Sequence, residues 1–222
     1  VKISGKIFVT VFFFAIISLS NKPPAEDIDI HQIWLKCKLE GEISFEIFNT
    51  AITGYQQINN LNKKNIISII DFSKPSTEKR FFVIDLENKR LIYKCFVAHG
   101  KNSGDNYAES FSNQPGSLKS SLGFFITAET YYGGHGYSLR LEGLEKGIND
   151  NARTRELVIH GAKYVSEAFI NKNGRLGRSW GCPALPVENS KEIIDKISGG
   201  SCLFIYGNDN NYKENSAFLK KN

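Results

Sequence analysis

The chain has 222 residues, with 28 lysines and arginines against 23 aspartates and glutamates and a formal charge of +5. That surplus is small and no lysine- or arginine-rich block stands out, so the sequence carries no nucleic-acid signature. Its length suits one ordinary domain with an appendage.

The first residues, "VKISGK", place Lys2 and Lys6 ahead of an apolar run from Ile7 to Leu19, broken only by Thr10 and Ser18. The run is shorter than the roughly 20 residues a helix needs to cross a bilayer. A basic start, a short apolar stretch and the triplet Ser18-Leu19-Ser20 predict a signal peptide over residues 1–20, cut after Ser20. The mature chain is then exported, periplasmic or associated with the cell envelope, with no stable membrane span after cleavage; left uncut, because the triplet lacks alanine, the same run would be an N-terminal anchor. Loss of Lys2 and Lys6 takes its formal charge from +5 to +3.

Residues 21–65 read as a small helical N-terminal extension. "IHQIWLKCKL" is a short helix carrying Cys37. In "SFEIFNTAITGYQQI", Phe45, Phe48, Ile52 and Tyr55 recur at helical spacing, Ser44 can cap the first turn, and Ile43 can staple against Phe48. Such a helix needs a surface to pack on. Residues 66–207 form the main body. Strands are expected from Ile66 to Asp71, over "FFVID" and "RLIYKC" as a hairpin through Glu87, Asn88 and Lys89, over "SLGFFITA" and "YSLRLEG", and over "RELVIHG". Between two of these, "ETYYGGHG" reads as a flexible loop on account of Gly133, Gly134 and Gly136. "VENSKEIIDKISGG" is a helix with a Gly-Gly stop, and "SCLFIY" is the last strand. Residues 208–222 are a polar tail. Several short strands and a few helices without regular alternation predict an α+β, mainly β fold.

Four cysteines would permit disulfides in an exported protein. Cys95 shares a strand face with Leu91, Tyr93 and Val97, Cys202 lies in a continuous apolar run, and Cys37 sits on a short helix, so all three suit buried thiols. Cys182 is different. In "GRSWGCPALP" it stands between Gly181 and Pro183, in a turn, where packing gives no reason for a thiol. An imidazole nearby would make it a nucleophile, and the preceding glycine lets a carbonyl approach the backbone. His160 closes the strand "ELVIH" before Gly161. His99 in "VAHGK" and His135 in "GGHG" have similar glycine-flanked settings, so spacing alone does not choose among them; His31 lies in the extension. Zinc held by Cys182 and histidines is a rival reading, weakened by the lack of a C-x-x-C or H-x-x-x-H pair. A third reading is an inactive wall-binding module with a structural Cys182.

"VIHGA" at 158–162 followed by "GRSWGCPAL" at 177–185, together with "VAHGKNSGDNYAESFSN", "SSLGFFIT" and "GINDNARTRELVIHGAKYV", resembles the murein L,D-transpeptidase catalytic-domain family. That family is a divergent branch of the YkuD-like fold. The resemblance runs from about Ile66 to Tyr206. It implies a YkuD-like β-sandwich catalytic domain in which a cysteine attacks the peptide stem of peptidoglycan, with no cofactor and no metal. The family's nucleophile falls on Cys182 and its general base on His160, with the Gly161 carbonyl orienting the imidazole. The amides of Trp180, Gly181 and Cys182 would form an oxyanion hole, and Ser179 matches the Ser/Thr that opens the motif. Two positions depart from the pattern. Many relatives have histidine at Trp180 and arginine at Ala184.

The reaction so implied is acyl transfer from a tetrapeptide stem to the amine of a neighbouring stem, giving a 3-3 cross-link. Water as acceptor would make the protein an L,D-carboxypeptidase. Because the stem is anionic, Arg140 and Arg178 are candidate carboxylate binders, with Arg155 a weaker one. Tyr131, Tyr132 and His135 could form a lid over the cleft, or belong to a plain hairpin.

Overall fold

A computed structural model describes residue 1 and residues 29–220; the expected signal peptide lies outside the described residues except for residue 1. Thirteen elements follow in chain order: α1 (Ile30–Lys36), α2 (Phe45–Tyr55), β1 (Ile66–Asp71), β2 (Phe81–Asp85), β3 (Arg90–Cys95), β4 (Gly123–Gly133), β5 (Gly136–Gly143), β6 (Val158–Gly161), α3 (Glu167–Asn173), β7 (Ala184–Leu185), α4 (Val187–Ile197), β8 (Cys202–Tyr206) and α5 (Asn210–Asn215). The eight strands hydrogen-bond in the order β3-β2-β1-β8-β4-β5-β6-β7. This is the mainly β, α+β architecture that the strand spacing predicts. Among the described residues, no helix is long and apolar enough to cross a membrane.

Strands β1, β2 and β8 are buried at every position. Continuous burial means that both faces are covered, which is why these segments read as near-continuous apolar runs rather than alternating ones. Strand β1 pairs antiparallel with β2 and parallel with β8, and helices α2 and α4 both lie against it. The partner surface that α2 requires is therefore the β1–β8 pair. Ser44 Oγ accepts the Ile47 amide at 3.3 Å, and Ile43 and Phe48 are buried in the same core. Helix α4 ends on Gly199 and Gly200, both with positive φ, as the Gly-Gly stop predicts.

Three segments differ from the sequence reading. "ETYYGGHG" is not a flexible loop: strand β4 runs through Tyr131 and Tyr132 to Gly133, and a tight turn returns the chain at Gly136. A register shift between Thr127 and Thr130 masks the alternation there. The loop between His160 and Cys182 contains α3, capped by Ser166 on the Phe169 amide and closed by Gly174 in the left-handed conformation. The polar C-terminal stretch carries α5, whose Tyr212 is buried and hydrogen-bonds Glu145 at 3.2 Å.

Candidate active site

The cysteine turn is built where three loops touch. Residues 97–101 run beside it: Ser179 N–H donates to the His99 carbonyl at 2.9 Å, and Lys101 N–H donates to the Ser179 carbonyl at 2.8 Å. Inside the turn, Ser179 Oγ accepts Gly181 N–H at 3.1 Å and donates to the Cys182 carbonyl at 2.6 Å. Ser120 Oγ ties the third loop in, accepting Gly100 N–H at 3.0 Å and donating to the Gly181 carbonyl at 3.3 Å. Gly181 has φ +128, and a methyl group there would sit 2.9 Å from the Lys119 carbonyl, so the position requires glycine.

The Gly181 amide is thereby engaged, which corrects the expectation of three free amides in an oxyanion hole. The amides of Trp180 and Cys182 make no hydrogen bond to another described residue.

After the turn, Ala184 and Leu185 form β7, which pairs in parallel with His160 and Gly161. This pairing brings the cysteine turn and the histidine strand side by side. His160 is 3% exposed, and its Nδ1 lies 3.1 Å from the Gly161 carbonyl. A carbonyl oxygen can only accept, so Nδ1 carries the proton and Nε2 keeps a free lone pair. Burial holds His160 below the usual histidine value; the Gly161 bond opposes that fall and the nearby His135 adds to it. Gly161 itself must be glycine, because a methyl group would lie 2.5 Å from Ser190 Oγ of α4.

The thiol does not hydrogen-bond His160. Cys182 Sγ accepts Val158 N–H at 3.4 Å and donates to the Glu156 carbonyl at 3.7 Å. Burial pushes the thiol up, while Val158 N–H and the Arg155 guanidinium act against that rise. The group is therefore a protonated thiol at neutral pH, parked on a backbone carbonyl. Cys37, Cys95 and Cys202 are free and buried, as their surroundings predict.

The remaining predicted residues fall into two groups. Register pairs Tyr131 with Ser138, Ser138 with His160, and Arg140 with Val158, and directly paired residues project to one face. Tyr131 and Arg140 thus share the face of His160. His135, in the β4–β5 turn, stacks on the His160 ring at 4.5 Å. Arg140 is not a free cation: it pairs with Glu129 at 3.3 Å and lies 4.2 Å over the Tyr131 ring. Arg178 belongs to the other side of the turn, where it pairs with Asp105 at 3.2 Å and donates to the Gly104 carbonyl at 3.0 Å. Trp180 is 72% exposed, with Lys101 Nζ 6.0 Å above its ring.

Sequence reasoning missed Glu156 and Val158, which hold the sulfur, and named Arg155 only as a weaker carboxylate binder. Glu156 and Val158 act through backbone atoms, which composition cannot reveal. Arg155 donates to the Ser112 carbonyl, Ser121 Oγ, Ser117 Oγ and the Lys119 carbonyl, crossing to a loop at least 34 residues away. Among the described residues no group of three or more His, Cys, Asp or Glu side chains is arranged to hold a metal ion.

Residues 39–206 match the sequence model of the family described as L,D-transpeptidase catalytic domain. Among solved structures, an L,D-transpeptidase from Mycobacterium smegmatis is 14% identical over 64% of this chain and 59% of its own, with a TM-score of 0.39. L,D-transpeptidase 3 from Mycobacterium tuberculosis is 10% identical over 64% and 61%, with a TM-score of 0.41. The helical cell shape determining protein from Campylobacter jejuni is 16% identical over 68% and 49%, with a TM-score of 0.41. The chain spans about 59% of the length of the first of these. A search of the curated proteins gives no match.

Proposed function

Because the chain belongs to the L,D-transpeptidase catalytic-domain family, we propose that it is an exported cysteine acyltransferase acting on peptidoglycan tetrapeptide stems. The observation that carries the reading is the fixed tautomer of His160 on a strand paired to the cysteine turn: Nδ1–H is committed to Gly161, so Nε2 is the base. In the proposed reaction the S–H of Cys182 leaves the Glu156 carbonyl and gives its proton to His160 Nε2. The sulfur bonds to the carbonyl carbon of the third, diamino acid residue of the stem, and the bond to the terminal D-alanine breaks. His160 returns the proton to the departing amine. An amine of a neighbouring stem then displaces sulfur from the thioester, giving a 3-3 cross-link and regenerating the thiol.

The amides of Trp180 and Cys182 are the proposed oxyanion donors, and Ser179 shapes the turn that presents them. His135, Tyr131 and Arg140 offer substrate contacts on the histidine side, and Arg178 on the other. Arg140 and Arg178 are both paired with carboxylates, so a stem carboxylate would have to exchange with Glu129 or Asp105. In this reading residues 1–20 direct export and residues 66–207 are the catalytic body, with α2 of the 21–65 extension packed into its core and residues 208–222 as a polar tail.

Incubation with a carbapenem, an acylating agent expected for this class, should add one covalent adduct to the protein, seen by intact mass, and none to Cys182→Ala. No adduct on the wild type, or an adduct persisting in the variant, would sink the assignment. Defined tetrapeptide muropeptides, with products identified by mass, then separate cross-linking from hydrolysis.

A further inference from the structure

The residues that hold Cys182 sulfur all come from the segment that runs into β6 and from its first residue, Val158. Glu156 has φ +53, a left-handed backbone that costs a non-glycine residue about 1–2 kcal/mol. Its carbonyl is the acceptor of the Cys182 S–H, and two residues later Val158 N–H donates to the same sulfur. One residue earlier, Arg155 lies under the turn. A methyl group on Gly181 would sit 3.4 Å from Arg155 Nη2. The guanidinium is fixed there by donation to the Ser112 carbonyl, Ser121 Oγ, Ser117 Oγ at 3.2 Å and the Lys119 carbonyl at 2.6 Å. All four acceptors are uncharged. Arg140, Arg153, Arg175 and Arg178 have carboxylate partners, and Arg155 has none among the described residues.

We propose that Arg155 is a positioning residue for Cys182: its clamped and uncompensated guanidinium supplies the positive charge that lets a buried thiol ionise beside Gly181. This rests on the reading of Cys182 as nucleophile. The two backbone contacts divide the two protonation states between them. The Glu156 carbonyl can hold only the protonated sulfur, because it has no hydrogen to donate. The Val158 amide and the guanidinium hold the thiolate better than the thiol. Loss of the proton to His160 Nε2 thus frees the sulfur from Glu156 while Arg155 and Val158 retain it.

The other groups around the sulfur do not supply that charge. The Glu156 carboxylate opposes ionisation. The Tyr164 phenol, pushed up to about 12 by burial and by Cys182, is neutral at physiological pH. His160 and His135 are held as a stacked pair, and burial and the His135 charge both lower His160. Burial lowers Arg155, and an ionised Cys182 in turn acts against that fall.

The test is the pH dependence of Cys182 alkylation by iodoacetamide in the folded full chain, mapped by mass. Cys37 and Cys95 are buried, with thiols pushed up to about 11 and about 12, and Cys202 is raised further, so their labelling is separable. Arg155→Gln should raise the alkylation midpoint and slow labelling near neutral pH by about tenfold, the effect of one pKa unit. Arg155→Lys keeps the charge without the four-acceptor clamp and should stay within about twofold of the wild-type rate. The inference is overturned by a folded Arg155→Gln protein with the wild-type midpoint, or by a lysine variant raised as far as the glutamine one. Should Arg155→Gln fail to fold, the lysine variant decides alone, a raised midpoint overturning the inference and a wild-type midpoint supporting it. Carbapenem acylation is read separately. A shifted midpoint without any wild-type adduct defeats the nucleophile reading and leaves the Arg155 assignment standing.

Discussion

His99 and His160 are each the third residue of a Val-x-His-Gly tetrapeptide, 97–100 and 158–161, and their rings meet different partners. His99 is completely buried. Arg80 Nη2 lies 2.8 Å from its Nδ1, and since a guanidinium only donates, Nδ1 is the acceptor and Nε2 faces the Gly104 carbonyl at 3.4 Å. Both ring nitrogens are engaged, and burial followed by the Arg80 charge pushes the imidazole down to about 4. His160 engages only Nδ1 and keeps Nε2 available. The first ring is architecture and the second is equipped for proton transfer. A histidine in this fold is reactive according to how many of its nitrogens the surroundings occupy, and the tetrapeptide around it does not decide that.

The largest effects should separate the two rings by kind. His160→Ala should slow carbapenem acylation by about 100- to 10,000-fold, the range for losing a general base, while the urea midpoint moves little. Unchanged acylation kinetics would remove His160 from the base role. On the other side, Arg80→Met leaves the Val97 and Lys74 carbonyls and His99 Nδ1 without their donor. Each buried unsatisfied acceptor costs about 1–3 kcal/mol, so unfolding free energy should fall by about 4 kcal/mol. A urea curve superposing on the wild type would show that the cluster is not structural.

Much of this contrast lay outside what the chain could reveal. The strands were legible because β1, β2 and β8 are mostly apolar and end at turn residues, and Cys182 was legible because Gly181 and Pro183 exclude an ordinary core position. The choice among His99, His135 and His160 came from family resemblance. Spacing gave no help, since the partner that silences His99 is Arg80, on the stretch before β2, and only tertiary folding joins them. Arg155 ranked low for the same reason, its acceptors being spread over residues 112–121. Helix α3 was missed although its Ser166 cap and Gly174 stop were present, because seven residues offer too little periodicity to stand out.

A smaller effect follows from His99 by titration. Unfolded, it takes a proton near pH 6.5; folded, only near pH 4. A depressed folded value means that the unfolded chain binds more protons in that window, so stability is lost as pH falls from 6.5 towards 4. Each pH unit costs about 1.4 kcal/mol, roughly 3 kcal/mol in all. His99→Gln should flatten that stretch of the stability profile measured by urea unfolding. A slope that persists undiminished would assign it to other groups.

The smallest and sharpest test concerns the ring stacked on His160. His135 stacks on it at 4.5 Å, and its charge adds to the lowering that burial begins. His135→Phe keeps a ring over His160 and removes the charge, so His160 should rise and the acid limb of acylation should move to higher pH. His135→Ala removes the cover as well. Burial lowers His160, so exposing the ring pushes it in the same direction, and the alanine limb should lie above the phenylalanine one. Rates are compared relative to each variant's own plateau at pH 8, where the base is neutral in all three, so that a lost His135 substrate contact does not enter the shift of the limb. Neither variant should alter the His99 share of the pH profile of stability, because that ring lies on the other side of the cysteine turn with both nitrogens engaged. A limb that stays put in both variants would uncouple the two stacked rings, and a limb moving to lower pH would reverse the sign of their interaction.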